Sequence, residues 1–525
     1  DLTPFALGVV IAYWGDRIHR AAWIGAIVLL QSISYFVMII PHLTHHTLDL
    51  FSLYISSCFL EDSRDLCSET TSRIVSKLAM IIVVQVVSGI ANISYFALGV
   101  SYLDDNTRKK HVSGLIGFLI SVKIFGILIG CMLAWICLRF DAVTLNPVES
   151  YREQIGAWWL GLPIFTLLLV IPGLLLSWFP RMLPSEIVEK AAVSLLNNSN
   201  NQSSRAPRTI VSQNVGSIDF WPSLGRLITN KILMCQILAC TLYIMAIVNF
   251  VAFENLIGQS RFHVPKPTGM LLGFDILKPS LVALIVVLSG MVISKLKPSA
   301  RSVIGYSIIV VLLAAAIIFA LTAATCDKKP IFGTSKKGSF SNWMNLLLQY
   351  CNRNCRCSND ADFRPVCDNK GTYTFYSPCH AGCTFSEVRN GITTYSECSC
   401  VESVMGAGKT DAIDGPCTSN RCQFKRIKII HVSLNVFGIL LSCVLIASTF
   451  VGDILIILRS VSVQDKAISI GFLMTCIAFI PGKILYDVIA NLTCLYWGTQ
   501  KSSCRIHDGT KLGNYLCYMT GSLLV

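Results

Sequence analysis

The chain is 525 residues long, and 53% of its residues are hydrophobic while only 14% are charged. A mean hydropathy of +0.60 lies outside the range of ordinary soluble proteins, which excludes that class. The net charge of +13 comes from basic residues dispersed through loops, and this dispersal argues against a nucleic-acid partner.

Apolar runs of about 20 residues recur along the chain, and each is long enough to cross roughly 30 Å of hydrocarbon. The pattern predicts an all-α, polytopic (multi-pass) membrane protein embedded in a lipid bilayer. The chain opens in an apolar run and stops in another after Leu516, so we expect it to be truncated at both ends. The predicted spans are Ala22–Pro41, Ile74–Leu103, Val112–Leu138, Trp158–Phe179, Leu227–Val251, Thr268–Ile293, Val303–Ala324, Ile430–Leu458 and Ala467–Ile489.

A cysteine-dense segment separates two of these spans, between Ala324 and Ile430. Free thiols packed so densely are a liability, so we predict a disulfide-stapled module outside the cytosol. With Cys326 the segment holds eleven cysteines, so one of them stays free or pairs with another loop. The predicted disulfide cysteines, with those of two shorter loops, are Cys351, Cys355, Cys357, Cys367, Cys379, Cys383, Cys398, Cys400, Cys417, Cys422, Cys58, Cys67, Cys494 and Cys504.

The loops on the other side of the predicted membrane are short and basic. They are Asp16–Arg20, Arg108–Lys110, Lys295–Arg301 and Arg459–Lys466. The positive-inside rule places these loops in the cytosol, and the cysteine-bearing loops then face outward. The polar segment Arg181–Arg226 is also predicted to be cytosolic, and it divides the membrane region into two halves.

Several short segments resemble the organic anion transporting polypeptide family of major-facilitator solute carriers. Tyr95–Asn106 is similar to the end of that family's fourth span, and Ile155–Gly161 to the core of its signature before the sixth span. Phe179–Pro184 and Thr493–Trp497 are similar to segments after its sixth and eleventh spans. The resemblance covers essentially the whole chain.

The same resemblance assigns a fold and domain organisation. It implies a major-facilitator-type twelve-helix bundle, incomplete at both ends here. Pro365–Cys367 and Tyr376–Cys383 resemble the family's Kazal-like domain, so the resemblance also implies a small disulfide-rich extracellular domain of that type. The implied domains are an N-terminal transmembrane half at 1–179, a cytosolic loop at 180–226, further spans at 227–325, the Kazal-like domain at 326–426, and the last spans at 427–525.

Two departures from the family pattern indicate a divergent branch, such as the gonadal one. Tyr151–Gln154 stands where the family has an Asp-x-Arg-Trp pattern. The arginine that the family commonly carries near Thr475 is absent from this sequence. Both departures put the family's usual substrate list in question.

Ionisable residues inside predicted spans are candidates for the substrate site, because a charge in the bilayer is costly to keep. Lys123 lies about 16 Å into its span at about 1.5 Å per residue, near the midplane. It either attracts a substrate anion or pairs with a helix end or a carboxylate.

Two further pairs and one histidine complete the predicted substrate site. Asp275 with Lys278, and Lys483 with Asp487, are spaced to meet on one helix face, so each pair either neutralises itself or lines a cavity. Pro481 and Gly482 favour a break in the helix beside Lys483. The resemblance links His42 to faster uptake at acidic pH, and a satisfied surface histidine is the alternative.

The turn Gly15–Arg20 resembles the major-facilitator loop between the second and third spans, with Asp16 and Arg17 as gating charges. An interspan latch and a plain topology signal explain it equally well. The sequence carries no enzyme signature, no zinc-ligand spacing beyond the disulfide cysteines and no Walker-type glycine loop, so we expect no catalysis and no cofactor.

The resemblance implies sodium-independent uptake or exchange of large amphipathic organic anions at the plasma membrane, by alternating access. Steroid conjugates, prostanoids and thyroid hormones are the expected substrates. The alternative is a transport-silent surface protein that uses its ectodomain for adhesion or protease inhibition.

The predicted topology has a direct test. An epitope tag inserted near Asn200 should be reached by antibody only in permeabilised cells, whereas a tag near Gly371 should be reached on intact cells. Detection of both tags on the same side would contradict the span count.

Overall fold

The computed structural model describes residues 2–39, 64–140, 156–179, 220–262, 274–324, 364–368, 371–389, 392–401, 411–415, 425–497 and 504–525, with positions 188, 351, 355, 357 and 417. These residues form two compact units. The first unit comprises residues 1–242, 276–307 and 447–480, and the second comprises 243–275, 308–446 and 481–525.

Helices dominate the described chain. Those before the central cysteine-rich segment are α1 (Leu2–Arg17), α2 (Arg20–Val37), α3 (Arg64–Ile93), α4 (Gly99–Asn106), α5 (Val112–Cys137), α6 (Gly161–Ser177), α7 (Phe220–Thr229), α8 (Lys231–Ala252), α9 (Glu254–Phe262), α10 (Phe274–Leu296) and α11 (Ala300–Ala320). Those after it are α12 (Lys425–Arg459), α13 (Lys466–Phe479), α14 (Gly482–Leu492) and α15 (Gly509–Leu524).

Eight stretches of helix among the described residues are long and apolar enough to cross a membrane. Helices suit this environment because each backbone N–H and C=O finds its partner within the segment, where hydrocarbon offers none. The prediction of a polytopic helical membrane protein is therefore confirmed. The predicted span Trp158–Phe179 forms the shorter apolar helix α6.

Interruptions occur inside several predicted spans; in Leu227–Val251, helix α7 ends at Thr229 and α8 begins at Lys231. Residues Ser94–Leu98, between α3 and α4, form a turn of π-helix, which inserts one extra residue into the helical path. In the predicted span Ala467–Ile489, helix α13 ends at Phe479 and α14 begins at Gly482. Proline has no N–H to donate and clashes with the preceding turn, so Pro481 separates the two helices as the sequence predicts.

Glycines allow close helix contacts in the first unit. A Cβ added to Gly471 of α13 would lie 2.7 Å from the carbonyl oxygen of Gly8 on α1. A Cβ added to Gly25 of α2 would lie 2.8 Å from the carbonyl oxygen of Gly173 on α6. Small residues are the usual solution for packing helices in a bilayer, because dispersion contacts replace the hydrophobic effect there.

The cysteine-rich segment lies in the second unit and forms a small antiparallel sheet. Its strands are β1 (Val366–Asp368), β2 (Thr374–Phe375), β3 (Phe385–Arg389), β4 (Ile392–Ser396) and β5 (Ala412–Asp414), in the spatial order β2-β1-β5-β4-β3. A compact core beneath the sheet includes Val366, Phe375, Ala381 and Ala412. A second ribbon pairs β6 (Cys494–Trp497) with β7 (Cys504–His507).

Disulfides replace a large core in this module, as is usual for small extracellular domains. The bonds described are Cys351–Cys400, Cys357–Cys379, Cys367–Cys417, Cys383–Cys398 and, in the ribbon, Cys494–Cys504. The structure corrects one prediction, because Cys355 is exposed and carries a free thiol. An odd cysteine count leaves one cysteine that stays free or pairs with another loop. Cys422 and Cys58 lie outside the described residues, as does the side chain of Cys67.

A buried histidine also contributes to the module. Burial lowers the pKa of His380, because desolvation disfavours the imidazolium form. The ring nitrogen Nδ1 and the hydroxyl of Ser377 form a hydrogen bond of 2.7 Å. Next to it, the ring of Tyr376 packs edge-on at 4.9 Å between ring centroids. At neutral pH this residue is therefore an uncharged part of the core.

The thiol inventory predicts a selective labelling pattern. In non-reducing conditions a membrane-impermeant maleimide should label Cys355 on intact cells, because its thiol is free and exposed. Cys355→Ser should abolish most labelling of this module. Strong labelling of Cys351, Cys367 or Cys383 before reduction, read by mass spectrometry, would contradict the described pairing.

Candidate functional site

Lys123 lies near the middle of α5, opposite the junction between α3 and the π-helical turn. Its ammonium group donates a hydrogen bond of 2.7 Å to the side-chain carbonyl Oδ1 of Asn92. The same ammonium lies 5.2 Å from the centroid of the Phe96 ring. The neighbouring Tyr95 hydroxyl donates to the carbonyl of Leu119 at 3.4 Å and so ties the π-helical turn to α5.

The surroundings of Lys123 stabilise its position without neutralising its charge. An amide oxygen and the face of an aromatic ring are both attractive to a cation, yet neither carries a formal negative charge. Among the described residues, no carboxylate lies within ion-pair distance of this lysine, and the side chain is half-buried. A half-buried cation that lacks a counter-ion is suited to attract an anion.

The structure describes only some of the other predicted site residues. Lys278 is buried in α10, but the side chain of Asp275 and all of His42 lie outside the described residues, so their roles stay predictions. Lys483 and Asp487 form no ion pair with each other, and Lys483 is exposed. With the lysine on the N-terminal side this pair has the less favourable orientation for an i,i+4 contact. In the described structure the two side chains therefore do not neutralise each other, and a role for them in the substrate site stays a prediction.

A charge network joins five helices on the predicted cytosolic side. Arg20 of α2 binds Asp16 of α1 at 2.5 Å and Asp105 of α4 at 2.6 Å. Lys466, the first residue of α13, binds both Asp104 and Asp105, the latter at 2.7 Å. Arg459 at the end of α12 approaches Asp104 to 3.8 Å.

The geometry of the network favours a latch over a plain topology signal. Its members come from both halves of the sequence, and the Asp104 side chain is only 3% exposed. A buried carboxylate is costly unless it is paired, so these contacts hold the helix ends together. Of the two predicted gating charges, Asp16 belongs to the network, whereas the guanidinium of Arg17 lies over the ring of Tyr13 at 4.3 Å.

A second ion pair supports the same region. Arg226 of α7 binds Asp465 at 2.9 Å, and Ser462 donates to the same carboxylate at 2.7 Å. Hydrogen bonds to this carboxylate raise the pKa of Arg226. A small cleft nearby is lined by Tyr13, Arg17 and Val463, among others. Asp16 and Arg20 of the charge network also line this cleft.

Sequence reasoning missed several buried charges, and Asp453 and Arg261 are the most enclosed of these among the described residues. Asp453 of α12 is 1% exposed and accepts hydrogen bonds from Gln236 at 3.0 Å and from Ser307 at 3.2 Å. Arg261 of α9 is fully buried and donates to the carbonyl of Thr322 at 2.9 Å and to Asn514 at 3.2 Å. Asp453 stands inside a predicted span, so its charge was a signal that could have been followed.

The comparisons with known proteins agree with this architecture. The family model for the Organic Anion Transporter Polypeptide (OATP) family matches residues 1–512. The chain belongs to this family. Solute carrier organic anion transporter family member 4C1 of Mus musculus is 25% identical over 98% of this chain and 72% of its own length. Member 1A2 of Homo sapiens is 25% identical over 97% of this chain and 79% of its own.

Within this OATP chain, the region around Thr475 is a packing surface. The Thr475 hydroxyl donates to the carbonyl of Pro4 on α1 at 3.1 Å, beside the close contact of Gly8 with Gly471. The structure therefore uses this face of α13 to pack against α1 at short range. A long cationic side chain in place of Thr475 would have to displace α1.

The charge network predicts the effect of removing its central cation. Lys466→Ala leaves the buried Asp104 without its closest partner, and breaking a buried pair costs about 3–5 kcal/mol. We expect a lower melting temperature of the purified protein and less protein at the cell surface. Lys466→Arg should restore part of both, because it keeps the charge.

The matched control is Lys295→Gln, which removes an exposed charge from the same predicted side of the membrane. Its free energy of unfolding should lie within about 0.5 kcal/mol of that of the parent protein, so its melting temperature should be nearly unchanged. Equal melting temperatures for Lys466→Ala and this control would show that the network contributes nothing to stability.

Proposed function

We propose that this protein carries large amphipathic organic anions across the plasma membrane, by sodium-independent uptake or exchange with alternating access. Steroid conjugates, prostanoids and thyroid hormones are the proposed substrate classes. The single observation that carries the proposal is Lys123, a mid-span cation whose described partners are the neutral Asn92 amide and the Phe96 ring. The relatives, which are named as organic anion transporter family members, support the same class.

The surroundings of Lys123 match the chemistry of such a substrate. An amphipathic anion presents one negative group and a broad apolar body. The ammonium group offers electrostatic attraction at a depth where water screens little, and the neighbouring Phe96 offers an apolar face. Phe96 lies in the π-helical turn, and the ammonium group of Lys123 lies beside it. This placement agrees with the frequent occurrence of π-helical turns at functional sites.

The charge network supplies the second requirement of alternating access. A carrier must close one side of the membrane while its site is open to the other. Contacts of Lys466 with Asp104 and Asp105 join α13 to α4 at the predicted cytosolic side. We propose that they hold that side closed in this conformation and separate when the carrier opens inward, within a major-facilitator-type bundle.

Charge changes at Lys123 test the transport proposal. Lys123→Gln should weaken uptake of labelled steroid sulfate roughly ten- to hundred-fold, the equivalent of a charged hydrogen bond of about 1.5–3 kcal/mol. Lys123→Arg should keep part of the activity. Asn92→Asp is the sharper variant, because it keeps the lysine but gives it a counter-ion, and it should also lower uptake.

Lys231→Gln, which removes one exposed charge at the start of α8, is the matched control and should transport normally. Surface biotinylation corrects each rate for the amount of protein. If Lys123→Gln and Asn92→Asp both transport like the parent protein, Lys123 is structural and the substrate site lies elsewhere.

The alternative function keeps one specific observation in its favour. Four disulfides and a separate small core give the cysteine-rich module its own stability, and its proposed Kazal-like fold suits adhesion or protease inhibition. Cells that express the full chain and take up none of the three substrate classes, yet bind a protease at their surface, would favour this function.

A further inference from the structure

Two basic loops of the first unit lie side by side. A Cβ on Gly290 of α10 would come within 2.6 Å of the carbonyl oxygen of Ser113 on α5, so these helices touch at backbone distance. One turn further along, the hydroxyl of Ser294 donates to the carbonyl of Lys110 at 2.6 Å. The loop before α5 and the loop after α10 are therefore joined.

The joined loops carry a concentrated, unneutralised charge, which we call the basic patch. All six of its cations are exposed, and none forms an ion pair within the part of the chain that the structure describes. The nearest acids in sequence, Asp104 and Asp105, are already bound by Lys466 and Arg20. The patch consists of Arg108, Lys109, Lys110, Lys295, Lys297 and Arg301.

The backbone of the second loop is strained around a lysine. Lys297 has φ of 47°, in the left-handed region, and its N–H closes α10 by donating to the carbonyl of Ile293 at 3.0 Å. Glycine takes this conformation at the end of a helix without steric cost, whereas a residue with a side chain brings its Cβ too close to the following carbonyl oxygen. A cationic side chain is thus held where stability alone favours glycine.

Apolar surface lies directly beside these charges. Leu296, between two lysines of the patch, is 75% exposed, and Val292 and Met291 one turn earlier are also exposed. The site therefore combines clustered cations with a lipid-facing apolar wall. A simple topology signal requires positive loops, but it requires neither their direct junction nor a left-handed lysine.

We propose that the basic patch binds a multiply phosphorylated inositol lipid of the cytosolic leaflet. Its phosphates would contact the lysines and arginines, and its acyl chains would lie along the exposed apolar face of α10. Clusters of four to eight basic residues at the cytosolic ends of spans are suited to such headgroups. The apolar wall favours a lipid over a soluble inositol phosphate, because only the lipid fills both parts.

Titration of the purified full chain tests this site. The probe is dioctanoyl phosphatidylinositol 4,5-bisphosphate, added to protein in an uncharged detergent, with binding measured by native mass spectrometry. Each patch cation contributes about 1 kcal/mol, or about five-fold in affinity. Lys295→Gln with Lys297→Gln should therefore bind about twenty-five-fold more weakly, whereas Lys295→Arg with Lys297→Arg should bind like the parent protein.

Lys297→Gly is a second variant that tests the site without a risk to folding. Glycine removes the positive charge and also relieves the strain of the left-handed backbone conformation. It should bind about five-fold more weakly while melting no lower than the parent. Lys231→Gln, outside the patch, should leave binding unchanged. Equal affinity of the double Gln variant and the parent would overturn the site. Equal affinity for dioctanoyl phosphatidylserine, or for inositol 1,4,5-trisphosphate without acyl chains, would overturn the assigned lipid.

Discussion

Two adjacent carboxylates organise the predicted cytosolic ends of the first unit. A carboxylate removed from water must find cations and hydrogen-bond donors, because its desolvation costs several kcal/mol. Asp104 and Asp105 meet this requirement with Arg20 from α2 and Lys466 from α13, far away in sequence. The position of each of these helix ends is therefore constrained by the same pair of side chains. The glycine contacts of α1 with α13 add close packing to this electrostatic constraint.

Lys466 and Lys123 show the difference between a lysine whose charge is neutralised within the protein and one whose charge can attract a ligand. Lys466 is 11% exposed and is matched by two carboxylates, so its charge is used within the protein. Lys123 is held by an amide and an aromatic ring, which orient the ammonium but leave its charge uncompensated. Both residues are lysines, and the nature of the partner decides whether the charge is neutralised.

Much of the fold follows from the sequence, because hydrocarbon imposes a simple rule on it. Apolar runs become helices wherever backbone groups have no water to bind, and Pro481 interrupts one of them by its missing N–H. The disulfide-rich module is likewise visible in the spacing of its cysteines. The folded sheet decides how the cysteines pair. The odd count indicated one cysteine without a partner in the module, but the sequence could not identify it as Cys355.

The site was less accessible to sequence reasoning, since its contacts are tertiary. Lys123 stands out because a charge interrupts an apolar run, but nothing local indicates that Asn92 and Phe96 face it. Lys466 and Asp105 are separated by 361 positions, and each reads as an ordinary loop charge. Arg261 escaped notice because it stands at the end of a helix, where a basic residue is common, yet the fold encloses it completely.

The π-helical turn at Ser94–Leu98 also sets the angular phase of the segment that contains it. One inserted residue rotates everything beyond it by about 100° relative to an uninterrupted α-helix. Asn92 lies before the turn and faces Lys123, whereas Asp104 and Asp105 lie beyond it and face Lys466. A regular α-helix here could satisfy only one of these two alignments. The turn therefore sets the angular offset between the groups around Lys123 and the carboxylate pair of Asp104 and Asp105.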